Sequence, residues 1–108
     1  MGGTILVSKG NGFATSTVDY DYFAERIRAE LMSKHPTVLT AAYEPLDDGG
    51  MMFISLEALD GESYRIFVEA TKQAALKAAT DASFSTRSAL WRQLHDMLQR
   101  DARLRGSR

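Results

Sequence analysis

The side chains that could do chemistry here are mostly carboxylates. Glu44, Asp47, Asp48, Glu57, Asp60 and Glu62 crowd one part of the chain. Paired carboxylates run acid–base chemistry only when burial drives their pKa values apart. These six fall in stretches that read as turns, where water keeps them ordinary. The expectation is a solvated acidic rim that could meet a basic partner. Their spacing does not fit a calcium-binding loop. The two histidines, His35 and His95, are far apart in sequence. Asp96 adjoins His95, but neighbours on a helix do not share a face, and a metal needs several convergent ligands. The chain has no cysteine, which removes disulfides, thiolate metal sites and thiol nucleophiles. No serine or threonine sits in a nucleophile elbow. Gly10-Asn11-Gly12 lacks the Lys-Ser/Thr of a P-loop and reads as a turn. The sequence therefore points to no catalysis, no metal and no cofactor.

Length and charge set the next bounds. A chain of 108 residues makes one domain and buries a core without staples. Net charge is −1, so no global field draws nucleic acid or membrane toward it. Charge is uneven, however. Residues 1–80 hold seven Lys/Arg against eleven Asp/Glu, and residues 81–108 hold six Arg against three Asp. No segment reads as a signal peptide or a bilayer span, and the expectation is a cytoplasmic protein.

Hydrophobic periodicity places these groups on elements. Residues 51–70 read as a hairpin around Asp60-Gly61. Met52, Ile54, Leu56 and Ala58 alternate before the turn, and Tyr64, Ile66, Val68 and Ala70 after it. Thr37–Glu44 reads as a further strand, closed by Pro45. Together residues 37–70 form a three-stranded antiparallel meander. Residues 4–18 offer an N-terminal hairpin, so the sheet is expected to have three strands without it and up to five with it.

Helical spacing predicts a first helix over 19–34, capped by Asp19 or Asp21 and ended by Pro36. A short helix follows over 71–81, and a long one over 85–103 capped by Ser85. The chain frays after about residue 104. The predicted fold is a single α+β domain over residues 1–108. Its core is Phe23, Ile27, Leu31, Leu39, Tyr43, Ile54, Leu56, Ile66, Val68, Leu90, Leu94 and Leu98. Trp91 reads as core too, since it shares helical spacing with Leu94 and Leu98.

One helix, three antiparallel strands and a second helix resemble the topology of double-stranded-RNA-binding domains. Thr71-Lys72-Gln73-Ala74-Ala75-Leu76-Lys77-Ala78-Ala79 looks like that family's last-helix motif of Ser-Lys-Lys followed by alanines. The likeness spans residues 19–80. Gln73 replaces the second lysine, and the loop that would enter the minor groove is the acidic Asp47-Asp48-Gly49-Gly50, where phosphate contact needs cations. The resemblance implies shared topology.

The second face of the predicted hairpin is unusual. Phe53 and Phe67 stand there among Glu57, Arg65 and Glu69; either another element of the same chain covers them, or they form a patch for a partner, since apolar patches rimmed by polar groups mark interfaces. The favoured function is a non-catalytic protein-binding module, an inhibitor or immunity-type accessory protein. An inhibitor of a bacterial defence system from a phage or mobile element is one version that fits the size. The expected contacts are Phe53, Phe67, Arg65 and Glu57, with Asp47 and Asp48 beside them. The expected partner is another protein, with a second copy of the chain as the other candidate. The alternative is a nucleic-acid binder using Lys72, Lys77, Arg87, Arg92, Arg100 and Arg103. An enzyme with a site shared across a dimer ranks third.

Overall fold

The computed structural model describes residues 2–47, 49–51, 53–81 and 84–105, excepting the side chains of residues 84, 102 and 105. Strands β1 (Gly2–Ser8) and β2 (Asn11–Ser16) form the expected N-terminal hairpin. Its turn is Lys9-Gly10, where Gly10 adopts a φ of 83° that suits glycine. Ile5 pairs with Phe13 across the ladder, and both face the core. Gly3 faces it too, where an added methyl would meet the ring of Tyr20.

Helix α1 (Thr17–Lys34) follows directly. Its cap is Ser16, whose Oγ accepts from the Asp19 N–H at 3.2 Å, rather than Asp19 or Asp21. Tyr20, Phe23, Ala24, Ile27 and Leu31 form its buried stripe. His35 closes the helix as expected, its N–H donating to the Leu31 carbonyl.

Here the structure departs from the predicted meander. Residues 36–47 form helix α2 (Pro36–Asp47), not a strand. Proline suits the first helical position because its missing N–H has no partner to lose there. Val38, Leu39, Ala42 and Tyr43 are buried at i, i+1, i+4 and i+5, whereas Ala41 is exposed. That is a helical face. The Tyr43 hydroxyl donates to the Ala24 carbonyl at 2.7 Å and fixes α2 on α1.

Strand β3 (Phe53–Ser55) is all that remains of the predicted central hairpin. It runs parallel to β1, with Ile5 beside Ile54, and completes a mixed sheet in the order β2-β1-β3. The fold is thus α+β, but the sheet is not all antiparallel. Asp60-Gly61 is no turn. Asp60 caps helix α3 (Gly61–Ala78), its Oδ1 accepting from the Ser63 N–H at 2.8 Å. The predicted second arm and the predicted short helix are one rod, about 27 Å long at the standard rise. Tyr64, Phe67, Val68, Thr71, Ala74 and Ala78 are its buried stripe. With 37–44 and 61–70 helical, the αβββα topology of RNA-binding domains is absent.

The predicted last helix divides into α4 (Phe84–Gln99) and α5 (Ala102–Arg105). Ser85 lies inside the first turn of α4 rather than capping it. Trp91 is buried, as expected, and docks α4 through its ring 4.6 Å from Phe23 and 5.9 Å from Tyr22, both edge-on. The Tyr64 hydroxyl donates to the Leu98 carbonyl at 2.7 Å and ties α4 to α3. Most of the predicted core is buried. Ile66 and Leu90 are half-buried and pack against it. Among the described residues no helix is long and apolar enough to cross a membrane.

Candidate partner-binding surface

The predicted contact face does not exist as one surface. Phe67 is 0% exposed, sealed between α3 and the rest of the core. Helical phase points it inward, opposite to what alternation required. Arg65 is exposed on α3, and Glu57 is exposed in the turn after β3. Phe53 is half-buried on the sheet face away from the helices. Register puts it beside Thr4, with Leu6 and Ser55 on the same side. The sheet therefore does have a second face with an aromatic ring, but Leu6, not Phe67, is its apolar neighbour. Asp47 ends α2 and holds Arg28 in a two-pronged pair at 2.7 and 3.1 Å. That hydrogen-bonded pairing keeps its carboxyl below the usual range. Asp48 lies outside the described residues.

The six cations proposed for nucleic acid divide into two groups. Three are spent within the chain: Lys77 on Glu30 at 2.6 Å, Arg87 on Asp19 at 3.0 Å and Arg103 on Asp101 at 2.8 Å. Lys72, Arg92 and Arg100 are exposed and form no ion pair among the described residues.

Arg103 makes more hydrogen bonds than any other side chain among the described residues. Its guanidinium donates to the carbonyls of Leu56, Leu59 and Val7 at 2.5, 2.9 and 2.7 Å. It also lies 4.0 Å from the Tyr64 ring centroid. It joins the ends of the parallel strands β1 and β3 to the C-terminal segment. Its hydrogen bonds to Asp101 hold that carboxyl below the ordinary range. Burial raises the Tyr64 hydroxyl and pushes that of Tyr20 up to about 12.

Lys72 and Arg92 meet at a groove of about 530 Å³ between α3 and α4. On α3 it is lined by Thr71, Lys72, Ala75 and Leu76, and on α4 by Ser88, Trp91, Arg92 and His95. The spacings i, i+1, i+4, i+5 and i, i+3, i+4, i+7 are single helical faces turned toward each other. Ala75 is too small to fill the space between the helices. A shallower extension continues past Lys72 toward Arg65, Glu69 and Leu104. Arg65, an expected contact, and Lys72, an expected phosphate ligand, thus border one surface. The sequence reading missed Leu76. Its signal was phase: it is apolar but falls outside the α3 stripe, and it is 66% exposed.

Neither histidine joins a polar cluster that could hold a metal. Among the described residues no three His, Asp or Glu side chains converge on one.

No protein-family model matches the chain. The immunity protein CdiI of Burkholderia pseudomallei is 34% identical over 104 residues, covering 96% of this chain and 95% of the relative. A chain in the solved complex of the CdiA-CT toxin from Burkholderia pseudomallei E479 with its cognate CdiI immunity protein matches with a TM-score of 0.91. It is 33% identical, with 94% of this chain and 98% of that one covered. The favoured sequence reading, a protein-binding module of immunity type whose partner is another protein, agrees with both. With a third of positions identical along almost the whole of each chain, the protein belongs to the CdiI immunity proteins.

Proposed function

We propose that this chain neutralises a toxin of the CdiA-CT kind by binding it in the cytoplasm, without turning it over. The observation that carries this is the likeness to the chain solved with its toxin: TM-score 0.91 over 98% of that chain. A backbone shared along almost the whole of both chains supports a toxin-facing region here in the corresponding place. The chemistry within this chain suits inhibition by contact. Among the described residues its carboxylates are solvated or paired with arginine or lysine, and its two histidines stand apart. Covering a toxin surface needs no reacting group, only a complementary face of roughly 800 Å².

The test is co-expression with the CdiA-CT toxin domain from the same source. The expected result is a one-to-one complex on size exclusion and restored growth of the toxin-expressing cell. Growth arrest with no complex, in the presence of folded protein, would sink this reading.

A further inference from the structure

The geometry points to the α3–α4 groove as the anchor site, taking an apolar side chain of the toxin that sits among carboxylates. This deepens the toxin-binding reading and rests on it.

Two polar groups on the floor of the groove are already satisfied within the chain. The Thr71 hydroxyl donates to the Phe67 carbonyl at 2.9 Å, and the Trp91 indole N–H donates to the Tyr22 hydroxyl at 3.1 Å. With those groups already partnered, Ala75, Leu76 and the Trp91 ring present apolar surface. Leu76 is left 66% exposed at the lip, and covering it removes apolar surface from water, which favours binding.

The rim carries the opposite chemistry. Lys72, Arg92 and His95 border the groove, and no carboxylate among the described residues lines it. Elsewhere among the described residues Arg26, Arg28, Lys77, Arg87 and Arg103 have carboxylate partners, whereas Lys9, Lys34, Arg65 and Arg100 form no ion pair. Lys72 and Arg92 have none among the described residues. Lys72 and Arg92 give the groove a local positive charge on a chain of net charge −1, so the complement is an acidic segment rather than a long polyanion, which needs a continuous basic track. The volume suits a few side chains. The groove is therefore an anchor within a larger interface.

Titration calorimetry with the purified toxin domain tests this. Three variants are compared with wild type: Leu76→Glu, the pair Lys72→Glu with Arg92→Glu, and Met32→Glu as a control exposed on α1 outside the groove. Far-UV circular dichroism verifies that each is folded. Both groove variants should weaken binding by about 30-fold or more, and the charge-reversed pair should also lose the salt dependence of wild type. Met32→Glu should stay within about threefold. If wild type binds and the groove variants bind equally well, toxin binding stands and the groove assignment falls. If wild type itself does not bind, both fall together. Light scattering covers the remaining occupant. A wild-type dimer that Leu76→Glu splits would give the groove to a second copy and overturn the proposal.

Discussion

Arg103 and Arg92 each sit in a cluster with an aromatic residue, Tyr64 for one and Trp91 for the other, and their surroundings differ completely. Arg103 spends its guanidinium on three backbone carbonyls and on Asp101. Arg92 lines a groove with no ion pair among the described residues. A guanidinium drawn into the protein must be fully partnered, because desolvation without compensation costs several kcal/mol. One left in water gives up almost nothing. Arg103 is accordingly part of the architecture, and Arg92 is free to meet another molecule. Two arginines of like type in one small domain do different jobs because the backbone offers carbonyls to one and not to the other.

Removing Arg103 should have the largest effect. Arg103→Ala leaves Asp101, 8% exposed at its side chain, without its cation, and strips donors from Val7, Leu56 and Leu59. The expected cost is about 3–5 kcal/mol, seen as a fall in Tm of roughly 10 °C or more. Arg103→Lys should recover little, since an ammonium cannot span the same carbonyls and carboxylate. A loss under about 1 kcal/mol would mean that the strand ends hold without the guanidinium, and the contrast with Arg92 would disappear.

The same cluster sets an acid limit. Arg103 holds the Asp101 carboxyl below its unfolded value, which lies near pH 4, roughly. A lowered folded pKa stabilises the fold above the unfolded pKa, and that contribution is lost as pH falls through the folded value. Stability measured by denaturant titration should therefore drop from about pH 5 toward pH 2. Asp101→Asn should be less stable at neutral pH and should show a shallower drop. Asp47, lowered by Arg28, titrates in the same direction, so some slope will remain. An equal slope in wild type and Asp101→Asn would place the acid sensitivity elsewhere.

The N-terminal third of this fold was legible in the sequence, because its signals are local and agree. Ile5 and Val7 alternate, Gly10 supplies the turn, and Phe23, Ile27 and Leu31 keep helical phase until Pro36. Residues 61–70 were not, because two periods fit the same ten residues. Tyr64, Ile66, Val68 and Ala70 alternate, while Tyr64, Phe67, Val68 and Thr71 recur at helical spacing. Only the second pattern continues, through Ala74 to Ala78, and length decides such cases. Asp60 three residues before Ser63 was a cap signal hidden by a plausible hairpin turn. Pro36 and Val38–Ala42 carried the same lesson for α2. The parallel pairing of β3 with β1 has no local signature, since β2 and two helices separate the strands. The groove was illegible for a related reason: it exists only once α3 and α4 lie side by side. Leu76, out of phase with its own helix, was the one trace of it in the chain.

The smallest expected effect sharpens the comparison most. Arg92→Ala should change unfolding free energy by no more than about 0.5 kcal/mol, measured by the same thermal and denaturant melts as Arg103→Ala. The reasoning is that Arg92 is exposed and has no carboxylate partner within the described chain, so its removal leaves no buried group stranded. A groove that held its own helices together would behave otherwise. In that case Arg92→Ala would cost about 1.5 kcal/mol or more, and Lys72 and Arg92 would belong with Arg103 as structural cations. Near-zero cost separates the two arginines cleanly: any effect of Arg92 on toxin binding would then come from contact across the interface, not from a loosened fold.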